Sequence, residues 1–430
     1  MHPMVKPALR RGWRDLNTVQ FGMAPAHAMV LGPMDTATGS FLTLLDGTRG
    51  LPLLRDEGRR MGLPDGHVDG LVERLAGAGL LDDATGGGPA ADALRGKKAV
   101  LDRLRPDLAS LSLVAPAPGE GIRRLAARRS LRVQVRGAGR VGVVLAALLA
   151  GAGVGEVDVR DGGRVEPWDV APGGLPAESI GDRRDDAARR AVRAAAPDRP
   201  PRRRAERATG QTRNARRPTT EGAARTSESS EQPLSSEQES GWSLVILAPR
   251  DGLAVHAPDP VAAEPLIASG TPHLYAGVVE GTGVVGPLVL PGDTGCAGCL
   301  DRMRADRDET WPRLIAQWRS GGARHPQACD LALSTAVAGL AAAHALTFLD
   351  GKSPSGTGTR WEASVPSLTW HARPIWAHPA CPCGAAEKAK EEHPSENGEP
   401  HETMAEQQPS TKSGRQAHTS RLSGTWRAHV

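Results

Sequence analysis

Three glycines and one acid carry the first chemical signal of this chain. Gly137, Gly139 and Gly142 stand at G-x-G-x-x-G spacing, and Asp161 follows Gly142 by 19 residues. At that spacing the first glycine permits a tight turn, the second lets backbone approach a phosphate, and the third allows a helix to close on a strand. An acid at that distance can hydrogen-bond a ribose hydroxyl. The second signal is sulfur. Cys296 and Cys299 form C-x-x-C, and Cys381 and Cys383 form C-P-C. Two thiolate pairs converging on one ion satisfy tetrahedral zinc in a closed, structural site. A redox C-x-x-C, or two unrelated pairs, are the other readings of the same residues. Cys329 stands alone and reads as a small buried hydrophobe or a nucleophile. His378, in HPACPC, is a spare ligand beside cysteines that already fill a site.

These residues need elements to hold them. Leu131, Val133 and Val135 alternate with polar residues, as a half-buried strand does. Val141–Ala150 is a helix whose free N–H groups and positive dipole end point at the glycine loop, where an anion can sit. Glu156–Arg160 is the second strand, ending at Asp161. The strand–loop–helix–strand run is a Rossmann-type nucleotide-binding unit. SLVILAP is a continuous apolar strand of the kind buried on both faces. Strand-like PHLYAGVVEG and TGVVGPLVLPG lead to the C-x-x-C turn, helical segments follow, and a last strand falls near Ser367–Ile375.

Upstream, residues 1–90 form a separate small unit. VQFG and AMVLGP are short strands, and Ala37–Asp46, Leu51–Met61 and His67–Ala76 carry apolar residues at helical spacing. This is a winged-helix-like α+β module. A flexible linker, DATGGGPAADA, leads into a connecting helix within 91–130, and the nucleotide-binding domain spans 131–384. Its insertion, 198–241, has almost no apolar residues and is expected to be disordered, as is the polar tail 385–430.

The 430 residues suffice for about two to three domains. The 53 basic and 49 acidic side chains leave a net charge of +4, too balanced to argue a nucleic-acid partner. Three Phe and one Tyr also disfavour base-stacking platforms. No signal peptide is evident at the N-terminus. The one membrane-like stretch, Cys329–Leu349, is interrupted by Asp330 and His344 and rich in small residues, so it reads as a buried helix. A cytoplasmic protein with no membrane partner is expected.

The order GAGRVG, LLAGAGVGEVDVRD, a basic helix ending AAAP, SLVILAP, GCAGC and a late cysteine pair resembles the ThiF/MoeB/E1-like superfamily. Its members adenylate the C-terminal carboxylate of a small protein or peptide. The resemblance implies an α/β fold, with a mostly parallel Rossmann-type sheet and helices on both faces. Residues 1–90 also resemble the winged-helix recognition element that binds leader peptides. The pair is similar to the E1-like component that partners YcaO-type cyclodehydratases in azoline peptide (TOMM/RiPP) biosynthesis.

By that resemblance, Gly137, Gly139 and Gly142 would cradle ATP phosphates and Asp161 would bind the ribose. Arg184 sits where the family has a phosphate-binding Lys. Asp251, after SLVILAPR, is the candidate for the magnesium-linked acid, with Arg250 falling there if the register moves by one residue. Departures accompany the matches. Gly163 replaces the second acid of the family's D-x-D, Asp169 replaces an Asn, and Pro172 replaces an Arg that meets ATP phosphates. Losing one such preorganised donor costs ~2.7–4 kcal/mol of transition-state stabilisation.

The resemblance therefore implies an ATP- and Mg2+-dependent adenylyltransferase of the ubiquitin-like-modifier-activating type. Arg184 and Asp251 would be catalytic, zinc structural, and the partner a peptide or small protein with a free C-terminus. Relatives are commonly homodimers. The rival is a non-catalytic scaffold that binds a leader peptide and docks a cyclodehydratase. An NAD-dependent oxidoreductase uses the same loop but has no role for the cysteine pairs.

Overall fold

The computed structural model describes residues 1–198, 241–321, 327–392 and 427–429. The first module contains β1 (Pro3–Val5), β2 (Arg11–Trp13), β3 (Val19–Phe21), β4 (Met29–Gly32), α1 (Thr36–Phe41), α2 (Leu51–Arg60), α3 (His67–Gly77) and β5 (Leu81–Asp83). Strands β2, β3 and β4 form an antiparallel sheet, while β1 pairs with β5. Helix α1 begins at Asp35, whose carboxylate accepts from the Thr38 N–H at 2.7 Å. The helices bury Phe41, Leu54, Leu71 and Leu75 against Val19 and Phe21.

Beyond β5 the chain is more ordered than the Gly-rich sequence suggests. Gly88 turns with φ +78°, and Pro89 then opens α4 (Pro89–Arg95), followed by α5 (Lys98–Arg103), α6 (Arg105–Val114) and α7 (Glu120–Arg128). These helices have their own core of Leu94, Leu104, Leu111 and Leu125, so the expected flexible linker is a helical spacer.

The main domain contains β6 (Arg132–Arg136), α8 (Arg140–Gly151), β7 (Glu156–Arg160), α9 (Arg184–Ala195), β8 (Leu244–Leu247), α10 (Gly252–His256), α11 (Pro260–Ala268), β9 (His273–Val279) and β10 (Thr282–Val289). It continues through α12 (Ala297–Arg307), α13 (Trp311–Ser320), α14 (Leu331–Leu349), β11 (Thr359–Ser364) and β12 (His371–Pro374). The seven-stranded sheet has the order β12-β11-β10-β9-β8-β6-β7. Strands β7, β6, β8 and β9 run parallel; β10, β11 and β12 extend the β9 side antiparallel. Helix α8 is apolar nearly all round and lies in the core with Leu145 and Leu149 fully buried. Each such leucine contributes about 1.5–3 kcal/mol by leaving water. Helix α14 is long and apolar enough to cross a membrane by length and composition. In this fold its Leu333, Val337, Ala341 and Ala345 join the sheet core.

Within the polar tail, residues 385–392 form α15 (Ala385–Glu392), and β13 (Arg427–His429) pairs parallel with β4. The rest of that tail, and 199–240 of the insertion, lie outside the described residues.

Buried ion pairs and hydrogen bonds join the three parts. Lys6 Nζ donates to the Ala115 carbonyl at 3.0 Å, and Asp82 accepts from Ser112 Oγ at 2.6 Å and from the Gly119 N–H at 2.7 Å. Arg128, on α7, forms a two-pronged pair with Asp350 at the end of α14, at 2.8 and 2.7 Å. Both side chains are almost fully buried. Arg128→Ala leaves the Asp350 carboxylate buried without its guanidinium and is expected to cost about 3–5 kcal/mol. Thermal and urea denaturation measure this; a variant as stable as the parent contradicts it.

Candidate functional site: a closed nucleotide cleft and a four-cysteine centre

The glycine loop forms where β6 ends. Gly137 has φ +113°, and a Cβ there would lie 1.9 Å from the Ala248 carbonyl oxygen. A Cβ on Gly142 would lie 2.0 Å from the Gly137 carbonyl oxygen. Both glycines are therefore required by close backbone approach within the protein. Gly139 starts α8, and the space beside it is taken by Arg250, whose Cγ would stand 2.9 Å from an added Cβ.

Asp161 sits at the end of β7, as the spacing predicts, with both oxygens engaged. Oδ2 accepts from the Ala138 N–H at 2.5 Å and Oδ1 from Arg184 Nη1 at 2.6 Å. Arg184 is 5 % exposed and opens α9. Its guanidinium also donates to the Gly162 carbonyl at 2.6 Å, to the Arg164 carbonyl at 2.5 Å and to Asp169 Oδ2 at 3.3 Å. It lies 3.6 Å from where a Gly163 Cβ would be, beside the position of the family's second acid.

Sequence reasoning left the register between Arg250 and Asp251 open, and the structure places the two side chains differently. Asp251 caps α10, accepting from the Leu253 N–H at 3.1 Å. Arg250 faces the glycine loop and lines the cleft. Its Nε donates to Asp169 Oδ1 at 2.8 Å, and Nη2 pairs with Glu166. Burial works against the Arg250 charge, yet the hydrogen bonds and charges of Glu166 and Asp169 outweigh it and hold the guanidinium above its usual pKa. Glu166 was not singled out from the sequence. Its only signal was an acid three residues before Asp169, and the Glu166 N–H indeed donates to Asp169 Oδ2 at 2.9 Å.

Trp168, Arg140 and Cys329 complete the cleft wall. Arg140 Nη1 donates to the Cys329 carbonyl at 2.8 Å. Burial raises the Cys329 thiol above its ordinary pKa, against a smaller opposing effect of Arg140. The remaining cavity is about 70 Å³, whereas small-molecule sites usually span about 300–1,000 Å³. The residues present fit a magnesium-bound triphosphate poorly as arranged: Asp161, Asp169 and Glu166 already hold Arg184 and Arg250.

The four paired cysteines meet on the antiparallel side of the sheet. Cys296–Cys381, Cys299–Cys383 and Cys296–Cys299 sulfurs are 3.7, 3.6 and 3.9 Å apart, and all four lie within 4.8 Å of one another. Tetrahedral zinc with Zn–S bonds near 2.3 Å sets sulfurs about 3.8 Å apart. The set therefore fits zinc, and the spacings exclude disulfides. The Cys296 thiol and the His378 N–H, which donates to the Cys299 sulfur at 3.3 Å, pull the Cys299 thiol below its ordinary pKa. The His378 ring turns away to Asp306 at 2.8 Å and is no ligand. Held by these four sulfurs, zinc would supply a crosslink tying α12 to the strand exit before α15.

A third feature lies in the first module. A groove of about 590 Å³ runs between the β4 entry and the end of α6, walled by Leu9, His27, Met29, Leu80, Val114 and Pro116. Val114 is half exposed in it.

Metal analysis of the purified chain should give one zinc per protein, lost in Cys296→Ser together with a fall in melting temperature. Metal-free protein of unchanged stability would contradict the zinc reading.

Comparison with known proteins agrees with this geometry. The ThiF family model matches residues 113–385. No curated protein matches the sequence. Among solved structures, Escherichia coli MccB with MccA-N7isoASN superposes with a TM-score of 0.61 at 13% identity, covering 90% of this chain and 100% of that one. MccB solved with ATP gives 0.61 at 13% identity, covering 89% and 99%. PaaA gives 0.59 at 15% identity, covering 87% and 100%. The matched family region, running from α6 to the start of α15, holds the glycine loop, the cleft and all four paired cysteines, and the chain belongs to the ThiF family.

Proposed function

We propose that this chain is a peptide-handling ThiF-family protein of peptide modification. Its first module captures a precursor peptide, and its E1-like body presents that peptide to a partner enzyme of the YcaO cyclodehydratase type. The observation that carries this reading is the groove between β4 and α6. It is large, lined by both polar and apolar surface, and lies beside the entry to β4, whose outer edge is taken by β13, so an extended peptide can lie along it and bury side chains beside Val114 and Met29. The buried Lys6, Asp82 and Arg128 contacts support it further, because they hold the module in register with the body. MccB, of similar fold, has been solved with MccA.

The second reading is ATP-dependent adenylation of a peptide or small-protein carboxylate, the activity usual in the family. The glycine loop and Asp161 favour it. In that reaction the chain would orient the carboxylate and neutralise phosphate charge, and the arginines that would do so are engaged with carboxylates of the protein itself.

Fluorescence anisotropy with a labelled candidate precursor peptide tests the proposal. Binding is expected in the micromolar range or tighter, weakened about tenfold or more by Val114→Asp, since a charge would be carried into an apolar contact. Peptide binding that is absent, or indifferent to Val114→Asp and Met29→Asp, overturns it.

A further inference from the structure

We propose that the E1-like cleft of this chain is self-complemented: Arg250, held by Asp169 and Glu166 across the glycine loop, permanently occupies the mouth of the site and makes it independent of metal and nucleotide. The proposal rests on membership of the ThiF family and stands apart from the peptide reading, since a peptide-binding module functions with the cleft open or closed.

The charges decide the matter. Two guanidiniums, Arg184 and Arg250, face three carboxylates, Asp161, Asp169 and Glu166, within one connected cluster. A magnesium ion needs carboxylate oxygens as ligands. Asp169 spends one oxygen on Arg250 and the other on Arg184 and the Glu166 N–H. A triphosphate needs cations that turn toward it. Arg184 is enclosed by two carbonyls and two carboxylates, and Pro172 stands where the family's phosphate-facing Arg would be. Arg140 is a further cation of the cleft wall; one of its nitrogens is held by the Cys329 carbonyl, while its Nε is buried without a hydrogen-bond partner.

Opening the site by swinging Arg250 outward is costly for a specific reason. Asp169 is 3 % exposed and would keep only the Glu166 N–H and the longer contact to Arg184. A buried carboxylate stripped of a partner penalises any ligand that displaces Arg250. The same pairing orders the segment between β7 and α9 without a ligand: Glu166 and Asp169 anchor its first half, and the Arg184 contacts to Gly162 and Arg164 anchor its base.

Equilibrium dialysis of labelled ATP against the full-length, zinc-loaded chain, with and without magnesium, tests this directly. No saturable binding is expected below about 1 mM, and magnesium should make no difference. Without ligand, Arg250→Ala should melt about 5 °C or more below the parent, because Asp169 and Glu166 lose their nearer cation and keep only the longer contacts to Arg184. Magnesium-dependent micromolar binding by the parent chain overturns the proposal, as does an Arg250→Ala variant that melts with the parent. Should Arg250→Ala fail to fold, dialysis of the parent decides alone.

Discussion

The approach of the glycine loop to the exit of β8 is the constraint on which the site depends. With no side chain at Gly137, the Ala248 carbonyl packs directly on the loop, and Gly142 lets α8 close on the same turn. That contact fixes the path of the next two residues. It brings Arg250 over Gly139 and turns Asp251 away into a helix cap. In a nucleotide-binding site the space above the second glycine is kept for phosphate. Here it belongs to a side chain of the same polypeptide, and the ion pairs around it follow from that placement.

Much of this was legible in the sequence, for physical reasons. The glycine spacing, the alternating β6 and the acid ending β7 are local signals, and the structure places all of them at one sheet edge. The paired cysteines were legible because two close thiol pairs suit one tetrahedral metal site, and their sulfurs meet within 4.8 Å. Arg184 was recognised as a cation at the site, though its partners are carboxylates and carbonyls of the protein. What could not be read was a one-residue register. Whether Arg250 or Asp251 faces the loop depends on how β8 exits, and Ala248–Pro249 carries no periodicity that decides it. The spacer helices were obscured for another reason: Gly86, Gly87 and Gly88 read as a linker, while the apolar spacing of α4 to α7 shows only when four short helices pack together. The β11 strand was missed because TRWEAS mixes polar and apolar residues at a sheet region where Arg360 itself is buried.

The two halves of the main sheet serve different ends. The parallel half carries the glycine loop and the charge cluster, built from loops at the carboxyl ends of β6, β7 and β8, where open α/β sheets place their ligand sites. The antiparallel half carries the four cysteines. The spacer helices join the first module to this frame through buried contacts of Lys6 and Arg128, so a peptide held in the groove by Val114 is held at a fixed distance from the body. Family membership and fold are thus kept, while the charge arrangement of the cleft serves internal order.

Hydrogen–deuterium exchange over residues 137–142 and 162–184, recorded with and without saturating magnesium–ATP, tests the central claim most directly. A self-complemented cleft predicts amides already protected in the free protein and unchanged by nucleotide. Fast exchange in the free protein that slows sharply when magnesium–ATP is added would contradict it.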